Sequence, residues 1–86
     1  MEVRFHRRFY KYYEKLPAKV QTRFNERLVQ FGKNPSDLSL RNHELNGKWF
    51  PYRSIDVTGD YRAIYIMDEG VALFVAIGTH SQLYGR

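Results

Sequence analysis

Proton traffic near neutral pH needs imidazoles, and the 86-residue chain has three, two of which, His43 and His80, lie from mid-chain onward among other reactive groups. The ending GTHSQLYGR follows the apolar run VALFVAI directly, so Thr79, His80, Ser81 and Tyr84 gather a titratable ring, hydroxyls and an aromatic plate just past an expected strand. Gly78 offers a backbone that can turn sharply there. Asp60 sits in a TGD turn, with Arg53 before it and Arg62 after it. An acid and a base beside arginine forks suit a ribose phosphodiester. The base takes the 2′-hydroxyl proton, the acid protonates the departing 5′-oxygen, and the guanidinium groups hold the phosphate. Trp49, Tyr61 and Tyr84 are flat enough to stack on unpaired bases.

Plainer uses compete with each of these. His43 or His80 alone fits an ordinary surface histidine. Arg53 and Arg62 can pair with Asp56 or Asp60 across a hairpin, and Tyr61, Tyr65 and Trp49 can fill a core. His6, between a strand and a basic helix start, reads as structural or solvent-exposed. Three distant histidines without HxxxH or HxH spacing predict no dedicated metal site, and without a phosphate loop or serine elbow no cofactor is expected.

The elements that must position these groups follow from periodicity. Residues 1–5 alternate weakly and read as a strand. Phe9, Tyr12, Tyr13 and Leu16 then recur at helical spacing, Pro17 breaks that helix or opens the next, and Val20, Phe24, Leu28 and Phe31 mark a second apolar face ending at GKNP. Residues 36–49 show no period and read as an irregular connection with a turn at Asn46–Gly47. Three strands are expected near 52–57, 61–67 and 71–77, joined by the tight TGD and DEG turns of antiparallel hairpins. The expected fold is α+β: an N-terminal strand, two helices, and a three-stranded meander forming one sheet with the helices on one face. The other face is left at least partly open as a shallow concave surface. If the last strand pairs beside the second or third, His80 arrives at the end where the TGD hairpin turns.

Composition bounds the rest. The length suits a single domain, residues 1–86, and 43% hydrophobic with 16% aromatic residues excludes a disordered chain. No cysteine is present, which removes disulfides and thiolate chemistry and suits the cytoplasm. No apolar stretch approaches the roughly 20 residues of a membrane span, so no membrane partner is expected. Residues 1–33 hold nine Lys/Arg against three acids and residues 34–86 five against six, splitting the net +5 into +6 and −1. Lys15, Lys19, Arg23 and Arg27 recur every four residues as a cationic ridge if the helices are nearly continuous, and as shorter stripes if not. Such a surface suits a polyanion or an acidic protein, or simply keeps the helix face solvated.

Taken together, HELNGKWFPYRSIDVTGDYRAIYIMDEGVALFVAIGTHSQLYG resembles the C-terminal half of the YafQ-like branch of the RelE/ParE toxin superfamily. The shared pattern is H-x-L-x-G-x-W, then Y-R, then D-aromatic, then G-T-H-x-x-L-aromatic-G. The resemblance implies a ribosome-dependent endoribonuclease that cuts mRNA and is held inactive by a cognate antitoxin, small and with an acidic segment. It implies catalytic or positioning roles for His43, Asp60, His80 and Tyr84, beside the substrate contacts assigned above to Arg53, Arg62, Tyr61 and Trp49. Two positions depart from that branch: Asp56 stands where it can carry a further histidine, and Tyr61 where it has Trp. A carboxylate at Asp56 does not donate a proton at neutral pH unless its pKa is raised. The alternatives are a ParE-like toxin that inhibits DNA gyrase by binding, and a small RNA-binding module without cleavage.

Overall fold

Val3 and Phe5 turn inward along a first strand, β1 (Glu2–Phe5), while Glu2 and Arg4 face water and pair at 3.0 Å. In the computed structural model, which describes residues 1–85, β1 leads through His6 into α1 (Arg7–Tyr13) and then α2 (Ala18–Lys33). Pro17 opens α2 at its N-cap, where a missing N–H costs nothing. α2 buries Val20, Phe24 and Phe31, residues that recur at helical spacing. They pack on one face of the sheet with Phe9 of α1. Phe31 meets Tyr65 edge-on at 5.0 Å, Tyr65 meets Phe74 at 5.1 Å, and Phe9 lies 5.5 Å from Phe24. Such aromatic pairs add about 0.5–1.5 kcal/mol each beyond the area they bury.

The sheet has five strands in the order β1-β5-β4-β3-β2: β2 (His43–Glu44), β3 (Arg53–Asp56), β4 (Tyr61–Asp68) and β5 (Val71–Thr79). β1 runs parallel to β5, and every other pairing is antiparallel. The two-residue strand β2 is unforeseen in the irregular 36–49 stretch, since two residues carry no period. It matters because it pairs His43 with Ser54 and so fixes the first histidine to the sheet. β5 carries a bulge. Ile64 faces Ala76 while Tyr65 faces Phe74, leaving Val75 as the extra residue. Phe74 and Ile77 therefore both serve the helix-side core, while Val75 and Ala76 both serve the opposite face.

That opposite face is less open than expected. The segment after β2 folds over it, and a short helix, α3 (His80–Tyr84), closes beside it, making a second apolar cluster of Leu45, Ile64, Ala76 and Leu83 with Trp49, Tyr52, Val75 and Tyr84. Gly78 makes no turn; it lies buried within β5. A Cβ there would come 2.7 Å from the Gln82 Oε1, so the residue is small to admit α3 rather than to bend the chain. The cationic ridge is interrupted as well. Lys15 falls between the helices, Arg23 pairs with Glu26 at 3.0 Å, and Arg27 ties α2 to the sheet by donating to the Val57 carbonyl. Among the described residues no helix is long and apolar enough to cross a membrane.

Candidate functional site

The β4–β5 register sets Tyr61 opposite Thr79, and the His80 N–H donates to the Asp60 carbonyl at 3.2 Å. The last strand thus delivers its histidine to the end where the TGD hairpin turns. There the chain does not trail off as a polar tail. Thr79 caps α3 with a reciprocal box: its hydroxyl accepts from the Gln82 N–H at 3.1 Å, and the Gln82 side chain accepts from the Thr79 N–H at 2.8 Å. Gly85 ends the helix at φ 73, in the left-handed region. The single turn holds His80 and Tyr84 four positions apart, and their rings meet edge-on at 4.6 Å.

A cavity of about 360 Å³ opens here, lined by His43, Leu45, Asn46, Trp49, Arg62, His80 and Tyr84. Five of the eight residues singled out from sequence thus share one space, although they come from four separate stretches of chain. Trp49 is held by its indole N–H, which donates to the Leu83 carbonyl at 3.0 Å and so joins the covering loop to α3.

His43 Nδ1 lies 2.8 Å from the Arg41 carbonyl. A carbonyl only accepts, so Nδ1 carries the proton and Nε2 keeps the lone pair, the form of imidazole that takes up a proton. The His80 ring makes no hydrogen bond among the described residues, which leaves its nitrogens free to exchange protons with a ligand.

Arg62 is fixed on two sides. Its Nε lies 3.0 Å from Asp56 Oδ1, and one Nη donates to the carbonyls of Thr58, Gly59 and Tyr61. Asp56 also meets Arg41 at 3.5 Å. The hairpin pairing anticipated from sequence is thus present for Arg62, and Asp56, at the position of a possible further histidine, serves as the guanidinium's anchor.

Three expected residues stand elsewhere. Asp60 contributes its backbone carbonyl, while its side chain is exposed at the hairpin and does not line the cavity. Tyr61 alternates with Arg62 and so faces the helices, where it packs on the main core beside Tyr12, Leu16 and Ile77. Arg53 alternates with Ser54 and lies on the helix side too, its Nε bonded at 2.9 Å to Asn42, whose amide reaches the Tyr65 hydroxyl at 2.7 Å. Period-2 alternation carries both corrections, because away from a bulge neighbouring strand residues point to opposite faces, and the bulge of this sheet lies in β5, not in β3 or at the start of β4. Leu45 and Asn46 line the cavity without having been named as site residues, although Leu45 is the leucine of the H-x-L-x-G-x-W pattern and Asn46 opens the NG turn.

The family model for the bacterial toxin of type II toxin-antitoxin systems, YafQ, matches residues 1–85. Among solved structures, YafQ from E. coli strain BL21(DE3) superposes with a TM-score of 0.82 at 20% identity, covering 98% of each chain. A copper-bound mutant toxin from Helicobacter pylori gives 0.74 at 24% identity, covering 96% of this chain and 98% of that one. In the E. coli DinJ-YafQ complex the similar chain gives 0.70 at 22% identity, with 98% of each covered. A sequence search of curated proteins returns no match. The fold is that of the RelE-like toxins, and the match along residues 1–85 establishes that the chain belongs to the YafQ family of type II toxin-antitoxin toxins.

Proposed function

We propose that this toxin is an endoribonuclease that cleaves mRNA on the translating ribosome by metal-independent acid–base chemistry. The observation that carries the reading is the pair of imidazoles in one cavity, with the proton on His43 placed at Nδ1. His43 Nε2 takes the proton of the 2′-hydroxyl. The freed 2′-oxygen attacks the adjacent phosphorus while the bond from phosphorus to the 5′-oxygen breaks, and His80 gives that oxygen its proton. The products are a 2′,3′-cyclic phosphate and a 5′-hydroxyl, so no water or cofactor is consumed. Arg62 faces the phosphate as charge gathers on it, and Tyr84 and Trp49 flank the bases. Asp60 fixes the His80 backbone, and its exposed carboxylate serves as a charge partner at the hairpin end. Arg53 and Tyr61 act at a distance, as supports of the sheet that carries Arg62.

The whole chain works as one toxin domain in the cytoplasm, where its ribosomal target is. Its partner is a cognate antitoxin, supported by the E. coli DinJ-YafQ complex and by the charge of the first 33 residues, which suits an acidic segment. Expression of the wild type should arrest growth and leave cut messages with cyclic 3′ ends. His80→Ala, a change at an exposed side chain, should keep the fold and lose cleavage by about 10²–10⁴-fold. Arrest with intact messages, or gyrase inhibition that survives His80→Ala, would defeat the proposal.

A further inference from the structure

Next to the first cavity, and sharing Trp49 with it, lies a second of about 240 Å³. His6 and Arg8 enter it from the start of α1 and Tyr12 from its end, Trp49 and Tyr52 from the covering loop, and the bulged pair Val75–Ala76 forms part of its lining. Trp49 is a wall of both cavities. Its ring meets Tyr52 edge-on at 5.7 Å, so the two plates stand nearly perpendicular, at 78°.

The polar groups here are unspent. The Arg8 guanidinium and the Tyr12 and Tyr52 hydroxyls make no hydrogen bond or ion pair among the described residues. His6 Nδ1 accepts from the Arg8 N–H at 3.1 Å, which places the proton of the neutral ring on Nε2 as a further free donor. Among the described residues no carboxylate lines the space. The two cavities thus repeat one set of parts: an arginine, histidine and aromatic plates, with Arg62, His43, His80, Trp49 and Tyr84 in the first and Arg8, His6, Tyr12, Trp49 and Tyr52 in the second. A polymer of alternating phosphates and bases presents the matching repeat.

We infer that the second cavity is a subsite for the nucleotide next to the one cleaved, with its base against Tyr52 and Trp49 and its phosphate on Arg8. The inference extends the nuclease reading along the RNA chain. Trp49 is the sole tryptophan, so its fluorescence reports occupancy of either cavity. The probe is a length series of 2′-O-methyl oligoribonucleotides, from one to five residues, which cannot be cleaved.

Affinity should rise about tenfold at one added nucleotide, within the range of a base stacked on an aromatic ring. Tyr52→Ala and Arg8→Ala should each shrink that step, and Tyr52→Phe, which keeps the plate, should retain it. Arg8 is exposed and lies outside both apolar clusters, so its variant stays informative if Tyr52→Ala unfolds. A step unchanged in Arg8→Ala, equal losses at every length, or no quenching at any length overturns the inference. So do variants that spare oligonucleotide binding and instead weaken a poly-glutamate peptide, which would assign the cavity to protein. Cleavage on the ribosome is scored separately: a length step without cleavage refutes the nuclease alone, and cleavage without the step refutes the subsite alone.

Discussion

Asp56→Asn removes one charge and almost no volume from the pair that fixes Arg62. The side chains of Asp56 and Arg62 are 14% and 21% exposed, so the pair lies between a surface ion pair and a fully buried one. Asn keeps an oxygen where Oδ1 now accepts from Arg62 Nε, and Arg62 keeps its three carbonyl acceptors. What goes is the charge assistance, the difference between a charged and a neutral hydrogen bond, about 1–1.5 kcal/mol. For a chain of this size that lowers Tm by about 4–12 °C, read by circular dichroism. The same change frees the positive charge of Arg62 toward the cavity. In a His80→Ala background, RNA binding should therefore tighten at low salt, and the slope of log affinity against log salt should steepen by up to about 0.9. A Tm within about 1 °C of wild type, with an unaltered salt slope, would show that the carbonyls alone hold Arg62 and that Asp56 neither anchors nor neutralises it.

Thr79→Val removes the hydroxyl of the capping box and should cost about 0.5–2 kcal/mol, concentrated in α3; amide exchange at Leu83 and Tyr84 should speed up far more than exchange in β4. Gly78→Ala should act on the same element, because its methyl must displace the Gln82 amide oxygen, and a cleavage rate equal to wild type would contradict that. Ser54 is fully buried on the cavity side of β3 with a hydroxyl that has no partner among the described residues, so Ser54→Ala should raise the denaturant midpoint, consistent with relief of a penalty of about 1–3 kcal/mol. Asp37 is held below the ordinary carboxyl value of 3.8, first by the Ser39 hydroxyl, then by the Ser39 N–H and by Gln30. A lowered folded pKa gives stability that is present above the unfolded value and lost as pH falls through the folded one. Wild type should therefore lose more stability than Asp37→Asn on acidification below about pH 4, and parallel curves would refute this.

Much of the framework was legible because it rests on long periodic segments. α2 shows in the spacing of Val20, Phe24 and Phe31, and the β3–β4–β5 meander in its two tight turns. The delivery of His80 to the TGD end followed from strand length on the condition that the last strand pairs beside its neighbour in the meander, as β5 does with β4. Three features were not legible, each for its own reason. β2 is too short for a period, and it exists because His43 and Glu44 can borrow the edge of β3. The opposite sheet face looked open because nothing in Leu45 to Tyr52 signals that the loop folds back, a geometry set by the indole bond to Leu83. Arg53 and Tyr61 were expected at the site by sequence proximity, which strand alternation overrules. One signal was present and unread: T-x-x-Q at Thr79–Gln82 is a capping box and marks the start of α3.

The parallel pairing of β1 with β5 joins residues 2–5 to residues 71–74. The first strand made is thus seated on the last, and closure must wait while nearly the whole chain is synthesised, a long-range contact of the slow-forming kind. His80 and Tyr84 come later still, on the turn that follows β5. A half-made copy emerging from the ribosome carries aromatic side chains without their partners and an unfinished pocket, so the cavity cannot be completed before β5 and α3 are in place. The interval also gives a waiting inhibitor time to meet the chain before it becomes competent.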